Sequence, residues 1–182
     1  KGGRVSASIL VPDGAGPFPA LIFMHSMPGT RENIIGLAEV YTKAGALALL
    51  IDAPHGRPEN QNRPEGPVTF TEKDRAEQIQ LIVDLRRGVD LLVARPDVDA
   101  NRMAYIGASY GGGMGGLFAG VEKRLQAYVL IVGNGGLVEH LTGFDDQGSV
   151  PQSWIEAMWP IEPLHYVRYA APAALLFQSG LR

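Results

Sequence analysis

The stretch that most constrains this chain is Arg102 to Gly113. An apolar run, Arg102 to Ile106, leads into Gly107-Ala108-Ser109-Tyr110-Gly111 and then into a glycine-rich, small-residue segment that continues as a helix from Met114 to Val121. A Gly-x-Ser-x-Gly set between a strand and a helix puts the serine on a sharp turn. Glycines two before and two after leave room where a Cβ would clash. The hydroxyl is pushed clear of the backbone, and the first amides of the helix point at the same space, where they favour negative charge. Ser109 is therefore the candidate nucleophile and the backbone N–H of Tyr110 the candidate oxyanion donor. The glycines at 112, 113, 115 and 116 disfavour a helix by propensity. Close packing of that helix on a sheet is the compensation they imply.

The rest of the chain supplies such a sheet. Val5, Ala7, Ile9 and Val11 alternate, which predicts a half-buried strand over Arg4 to Val11. Ala20 to Met24, Ala46 to Ile51, Ala127 to Val132 and Ala173 to Phe177 are continuous apolar runs, as expected of strands covered on both faces. Thr30, with Asn33 three residues on, caps a helix that ends at Gly45. Thr71 opens a longer helix with Glu72 and Asp74 in its first turn and Pro96 at its end. Its predicted apolar stripe is Ile79, Ile82, Val83, Leu85, Val89, Leu92 and Val93, with Glu77, Asp84, Arg86, Arg87 and Asp90 as the solvated face. Residues 137–170 are irregular and aromatic, and read either as short helices lining a substrate site or as simple packing. Strand and helix alternate throughout, so the expected fold is α/β, a doubly wound and mostly parallel sheet in a single domain over 1–182.

In such a sheet, sites form at the carboxyl ends of strands. His25, Asp52, Ser109 and Gly133 all fall there. The turn His25-Ser26-Met27-Pro28-Gly29 is expected to bring the second oxyanion donor, the N–H of Ser26 or Met27. His25, His55, Trp154 and Trp159 are candidate pocket residues. The long polar stretch up to Phe70 is expected to cover one side of the site mouth.

Composition narrows the partners. With a net charge of −3, the chain has no basic footprint for nucleic acid, and its longest apolar runs are too short to span a bilayer. It has no cysteine, which excludes thiolate metal sites and a cysteine nucleophile. An apolar content of 46% is enough for a sizeable core. The compartment is not readable. A chain beginning at Lys1 predicts that something preceded it.

The segments Phe23 to Gly29, Ile51 to Gly56 and above all Asp84 to Gly113 resemble the α/β-hydrolase superfamily. Within it, they are similar to the dienelactone hydrolase, acetyl xylan esterase and acyl-peptidase group. The resemblance implies serine-dependent hydrolysis of a small-molecule carboxylic ester, thioester or amide through an acyl-enzyme, with no metal and no cofactor. It also implies a triad acid just after the strand at Ala173 to Phe177 and a histidine later still. Neither has a matching position here, so the domain is expected to be C-terminally incomplete, stopping before the last strand and helix. Asp145 or Asp146 with His165 are weaker stand-ins for acid and base. Two other readings stay open: a catalytically impaired binding or assembly module, and a peptidase of the acyl-peptidase type. An exposed last strand also predicts self-association, or a partner chain that completes the sheet.

Overall fold

The computed structural model describes residues 4–60, 62–143 and 150–180. Strands β1 (Ala7–Leu10), β2 (Phe18–Met24), β3 (Leu47–Ile51), β4 (Val98–Ala108), β5 (Ala127–Ile131) and β6 (Ala174–Gln178) form one sheet in the order β1-β3-β2-β4-β5-β6. β1 pairs antiparallel with β3, and every other pairing is parallel. The chain winds outward from β2 to β3 and then crosses back to β4 on the other side of β2. The strand order therefore reverses between β2 and β4, and the crevice at their carboxyl ends is where ligands bind in such sheets.

Helices α1 (Ile35–Lys43), α2 (Glu72–Val93), α3 (Tyr110–Val121), α4 (Leu137–Thr142), α5 (Gln152–Met158) and α6 (Pro163–Val167) cover the sheet. Alternation within β3 assigns the layers. Leu47, Leu49 and Ile51 pack with Leu81, Leu85 and Leu92 of α2 and Met114 and Phe118 of α3. Ala48 and Leu50 face the other way, with Ile34 and Ala38 beneath α1. Local signals set the helix ends. Thr30 and Asn33 form a reciprocal capping box, Thr71 accepts from the Lys73 N–H, and Gly45 takes φ +94° just past α1.

The buried stripe of α2 differs from the one its apolar residues predict. Asp74, Gln78, Leu81, Asp84, Leu85, Gly88, Val89 and Leu92 are buried, whereas Ile79, Val83 and Val93 are more than a third exposed. The helix is rotated so that buried ion pairs form on its inner face. Asp84 is bound by the Arg57 guanidinium and accepts from Gln80 Nε2 at 2.8 Å. Asp74 accepts from the backbone N–H groups of Thr69 and Phe70 and from the Trp154 indole N–H at 2.8 Å. Glu77 meets Arg63 at 2.6 Å, and Arg63 also donates to the carbonyls of Gly66 and Pro67. The long polar segment after β3 is thus pinned to α2 by charges that the sequence alone places in solvent.

Candidate functional site

At the end of β4, Ser109 takes φ 52° and ψ −110°, a region sparsely populated by residues other than glycine. Its N–H donates to the Ile131 carbonyl at 2.8 Å, and its carbonyl accepts from Gly113 N–H at 2.9 Å. The turn is as tight as the glycine spacing requires. A Cβ on Gly107 would lie 2.3 Å from the Gly111 carbonyl oxygen, and one on Gly111 would lie 2.5 Å from that of Met24. The Tyr105 hydroxyl donates to the Gly111 carbonyl at 2.7 Å and braces the turn from below. Tyr110 is the first residue of α3, so its N–H has no acceptor within the helix.

The turn after β2 lies alongside. Ser26 Oγ donates to the Ala108 carbonyl at 3.4 Å, beside Ser109. His25 is fully buried and both its ring nitrogens are engaged. Nδ1 donates to the Ser26 carbonyl at 2.7 Å, and Nε2 accepts from the Ala53 N–H at 3.0 Å. It ties the end of β2 to the end of β3, and burial lowers its pKa. Asp52 accepts from the Arg31 N–H at 2.7 Å and binds the Arg31 guanidinium, which fixes the same turn from the other side. His55 is buried, with its ring edge-on to Tyr110 at 5.1 Å and to His25 at 5.4 Å. Burial, reinforced by the neighbouring His25 ring and the Arg63 charge, lowers its pKa to about 3, so the ring is neutral at physiological pH. Burial, with the Glu77 and Asp74 charges beside it, pushes the Tyr110 hydroxyl up.

A cavity of about 730 Å³ opens over Ser109. One wall is Met27, Pro28, Pro67 and Val68; the other is Val132, Asn134, Leu137, His140 and Leu141. Its size suits a small organic ligand. Ser109, Tyr110 and Met27 come together in it, and Ser26 adjoins. His55 lines smaller recesses next to it. His25 and Trp154 are packed away from it, and Trp159 lies on the surface with its ring against His165 at 4.9 Å. His165 is not among its lining residues, and Asp145 and Asp146 lie outside the described residues.

Asn134 and His140 are the site residues that sequence reasoning missed. Gly133 to Gly136 does read as the loop closing β5, at the correct end of the sheet. A histidine one helical turn beyond that loop was the available signal.

Fold and crevice together define an α/β-hydrolase. The chain belongs to the dienelactone hydrolase family, whose model matches residues 5–150. A Bradyrhizobium sp. protein described as a probable 2-oxo-3-(5-oxofuran-2-ylidene)propanoate lactonase is 28% identical over 168 residues, 91% of this chain and 59% of that protein. The chain thus spans about three fifths of this relative's length. Among solved structures, an acetyl xylan esterase from Paenibacillus sp. R4 superimposes with a TM-score of 0.67 at 17% identity, over 97% of this chain and 73% of that one. The Pyrococcus horikoshii acylaminoacyl peptidase does so with a TM-score of 0.70 at 15% identity, over 96% of this chain and 29% of that one. At these identities the two structures speak for the fold.

Proposed function

We propose that this chain carries the nucleophile half of a serine-dependent carboxylic-ester hydrolase, with lactones among its substrates. Ser109 Oγ attacks the ester carbonyl and expels the alkoxide, leaving an acyl-enzyme that water then hydrolyses. The N–H groups of Tyr110 and of Met27 or Ser26 hold the oxyanion. Losing one such donor typically costs about 2.7–4 kcal/mol of transition-state stabilisation. The observation that carries this reading is the strained φ of Ser109 at the floor of a ligand-sized cavity. The family match supports hydrolysis, and the lactonase relative supports a cyclic ester.

The proton of Ser109 goes to a histidine. His25 is unsuited because both ring nitrogens are already bonded. His55 is unsuited because its conjugate acid is too strong. The family resemblance places the base and its acid partner after the strand at Ala174–Gln178, and neither His25 nor His55 is assigned that role. The test is labelling with a fluorophosphonate. The chain is expected to be labelled slowly, through the residual activation that the oxyanion hole and binding supply without the base, and Ser109→Ala not at all; equal labelling of both ends the proposal. The engaged state of His25 also favours a second reading, a binding module that has kept the turn. Turnover of a short aryl ester or lactone, abolished by Ser109→Ala, excludes that module.

A further inference from the structure

The two amides that hold the oxyanion belong to separate elements. Tyr110 opens α3, and Ser26 and Met27 lie in the turn after β2. The strands beneath them pair as far as Met24 and Gly107. Beyond that point Ser26 Oγ links the two segments, donating to the Ala108 carbonyl at the long distance of 3.4 Å.

A third element reaches both. His55 sits in the short turn Pro54–Gly56 after β3 and is only 6% exposed. Its ring stands edge-on to Tyr110 on one side, at 5.1 Å and 83°, and to His25 on the other, at 5.4 Å and 74°. These are separations and angles that planar rings favour. The space left where His55, Met27 and Tyr110 meet is only about 10 Å³. The His25 contact carries further, because His25 Nδ1 donates to the Ser26 carbonyl at 2.7 Å. That carbonyl and the Met27 N–H belong to one planar peptide, so fixing the first also aims the second.

The turn that carries His55 is itself anchored. A Cβ on Gly56 would lie 2.4 Å from the Gly29 carbonyl oxygen, so the turn rests on the segment after β2. Asn60 Nδ2 donates to the Pro54 carbonyl at 2.7 Å, and Arg57 binds Asp84 of α2. His55 Nε2, by contrast, is buried with no hydrogen-bond partner among the described residues. Burying a polar atom unpaired is unfavourable, and such departures concentrate at functional sites.

We infer that His55 is a positioning residue for the oxyanion hole, its ring being the spacer that sets the Tyr110 N–H against the Met27 N–H. The inference rests on the serine-hydrolase reading for what the two amides do, and on the ring contacts for how they are spaced.

The test uses the full chain with His55→Ala and His55→Phe, and His55→Gln in place of the alanine variant if that one does not fold. Three quantities are measured. The first is the rate of fluorophosphonate labelling, in which Ser109 Oγ displaces fluoride from phosphorus and the phosphonyl oxygen stands where the oxyanion would. The second is the Kd of N-(4-nitrophenyl)acetamide, an uncharged amide that stands in for unreacted substrate, by NMR titration. The third is the N–H residual dipolar couplings of Tyr110 and Met27, which report bond direction. His55→Ala is expected to be labelled at least about tenfold more slowly, with amide binding within about twofold of the unsubstituted chain. A loss confined to the transition state is the mark of misplaced donors, whereas loosened packing weakens both. His55→Phe keeps the edge contacts and is expected to recover the rate to within about threefold. Labelling of His55→Ala at the unsubstituted rate overturns the inference. So does a His55→Phe variant as slow as His55→Ala, and so does a loss of labelling matched by an equal loss of amide binding. The serine reading is judged separately, by Ser109→Ala. If the unsubstituted chain is not labelled, the couplings decide alone. Their change in His55→Ala and return in His55→Phe leave the spacer standing without the serine mechanism, and their constancy overturns it.

Discussion

β3 and β6 are both apolar five-residue strands in one mostly parallel sheet, yet they live in different environments. Every residue of β3 is buried, whereas β6 reads exposed, intermediate, exposed, exposed, exposed. Leu50 is fully buried, and Leu176 and Phe177 are 57% and 62% exposed. The cause is position. β3 has neighbours on both sides, α1 over one face and α2 over the other. Among the described residues β6 is the last strand of the sheet and pairs only with β5. The comparison teaches that, among the described residues, the β3 flank is covered on both faces and the β6 flank is not. The residues around Ser109 hang between a flank locked by buried charge and a flank whose apolar face is open.

The largest effect should come from unlocking the first flank. Arg57→Leu strands Asp84 as an uncompensated charge, because the pair's side chains are 9% and 1% exposed. Breaking such a pair from one side typically costs about 3–5 kcal/mol. Urea unfolding should show a loss of that order. An unchanged midpoint would mean that the segment after β3 is not held by this pair.

Next comes the core itself. Leu50→Ala removes a fully buried side chain beneath α1. A loss of about 2–5 kcal/mol is expected, with the value set by how far α1 collapses into the cavity. Measured against a β6 substitution in the same urea series, it calibrates the contrast between the two flanks.

The pH dependence belongs to the locked flank too. His55, just past β3, has its pKa lowered from 6.5 to about 3 by burial. Between those values the unfolded chain binds a proton that the folded chain does not, so stability is full above about pH 6.5 and falls as the pH drops toward 3. Each unit within that window removes about 1.4 kcal/mol. His25 is lowered in the same direction and adds to the slope. His55→Gln should flatten the stability profile between pH 6 and 4 (the span in which a simple histidine contribution is steepest). An identical slope in the variant would assign the acid lability elsewhere.

How much of this was legible in the sequence follows the physics of each element. The buried strands, the caps at Thr30 and Thr71 and the turn at Ser109 rest on local rules, and local rules can be read from neighbours in the chain. The inner face of α2 was not legible. Asp84 looks like a solvent residue, and Asp74 like a first-turn residue placed for the helix dipole, until Arg57, Thr69, Phe70 and Trp154, distant in sequence or across a turn, arrive to satisfy them. Ile79 and Val83 look like core residues for the same reason in reverse. The cavity wall shows the same limit. Asn134 is ordinary in sequence, and its orientation comes from Gly136 N–H and from the glycines of α3. His25 reads in sequence as part of the oxyanion turn, and its partner in that role is visible only when the Ala53 N–H is brought against its Nε2.

The smallest effect should be on β6, and it is the one that most directly breaks the comparison. Leu176 stands 57% exposed at the sheet edge. If nothing covers it, Leu176→Ser stays within about 0.5 kcal/mol of the unsubstituted chain, the range of ordinary surface changes. If a second chain or a further segment packs on this edge, the same substitution costs several times more, approaching Leu50→Ala. An open apolar edge strand pairs readily with another copy, so sedimentation of the 1–182 chain should show self-association, reduced in Leu176→Ser with Phe177→Lys. A monodisperse monomer that is nevertheless destabilised by Leu176→Ser would mean that the edge is covered from within the same polypeptide, and β6 would then belong with β3 rather than opposite it.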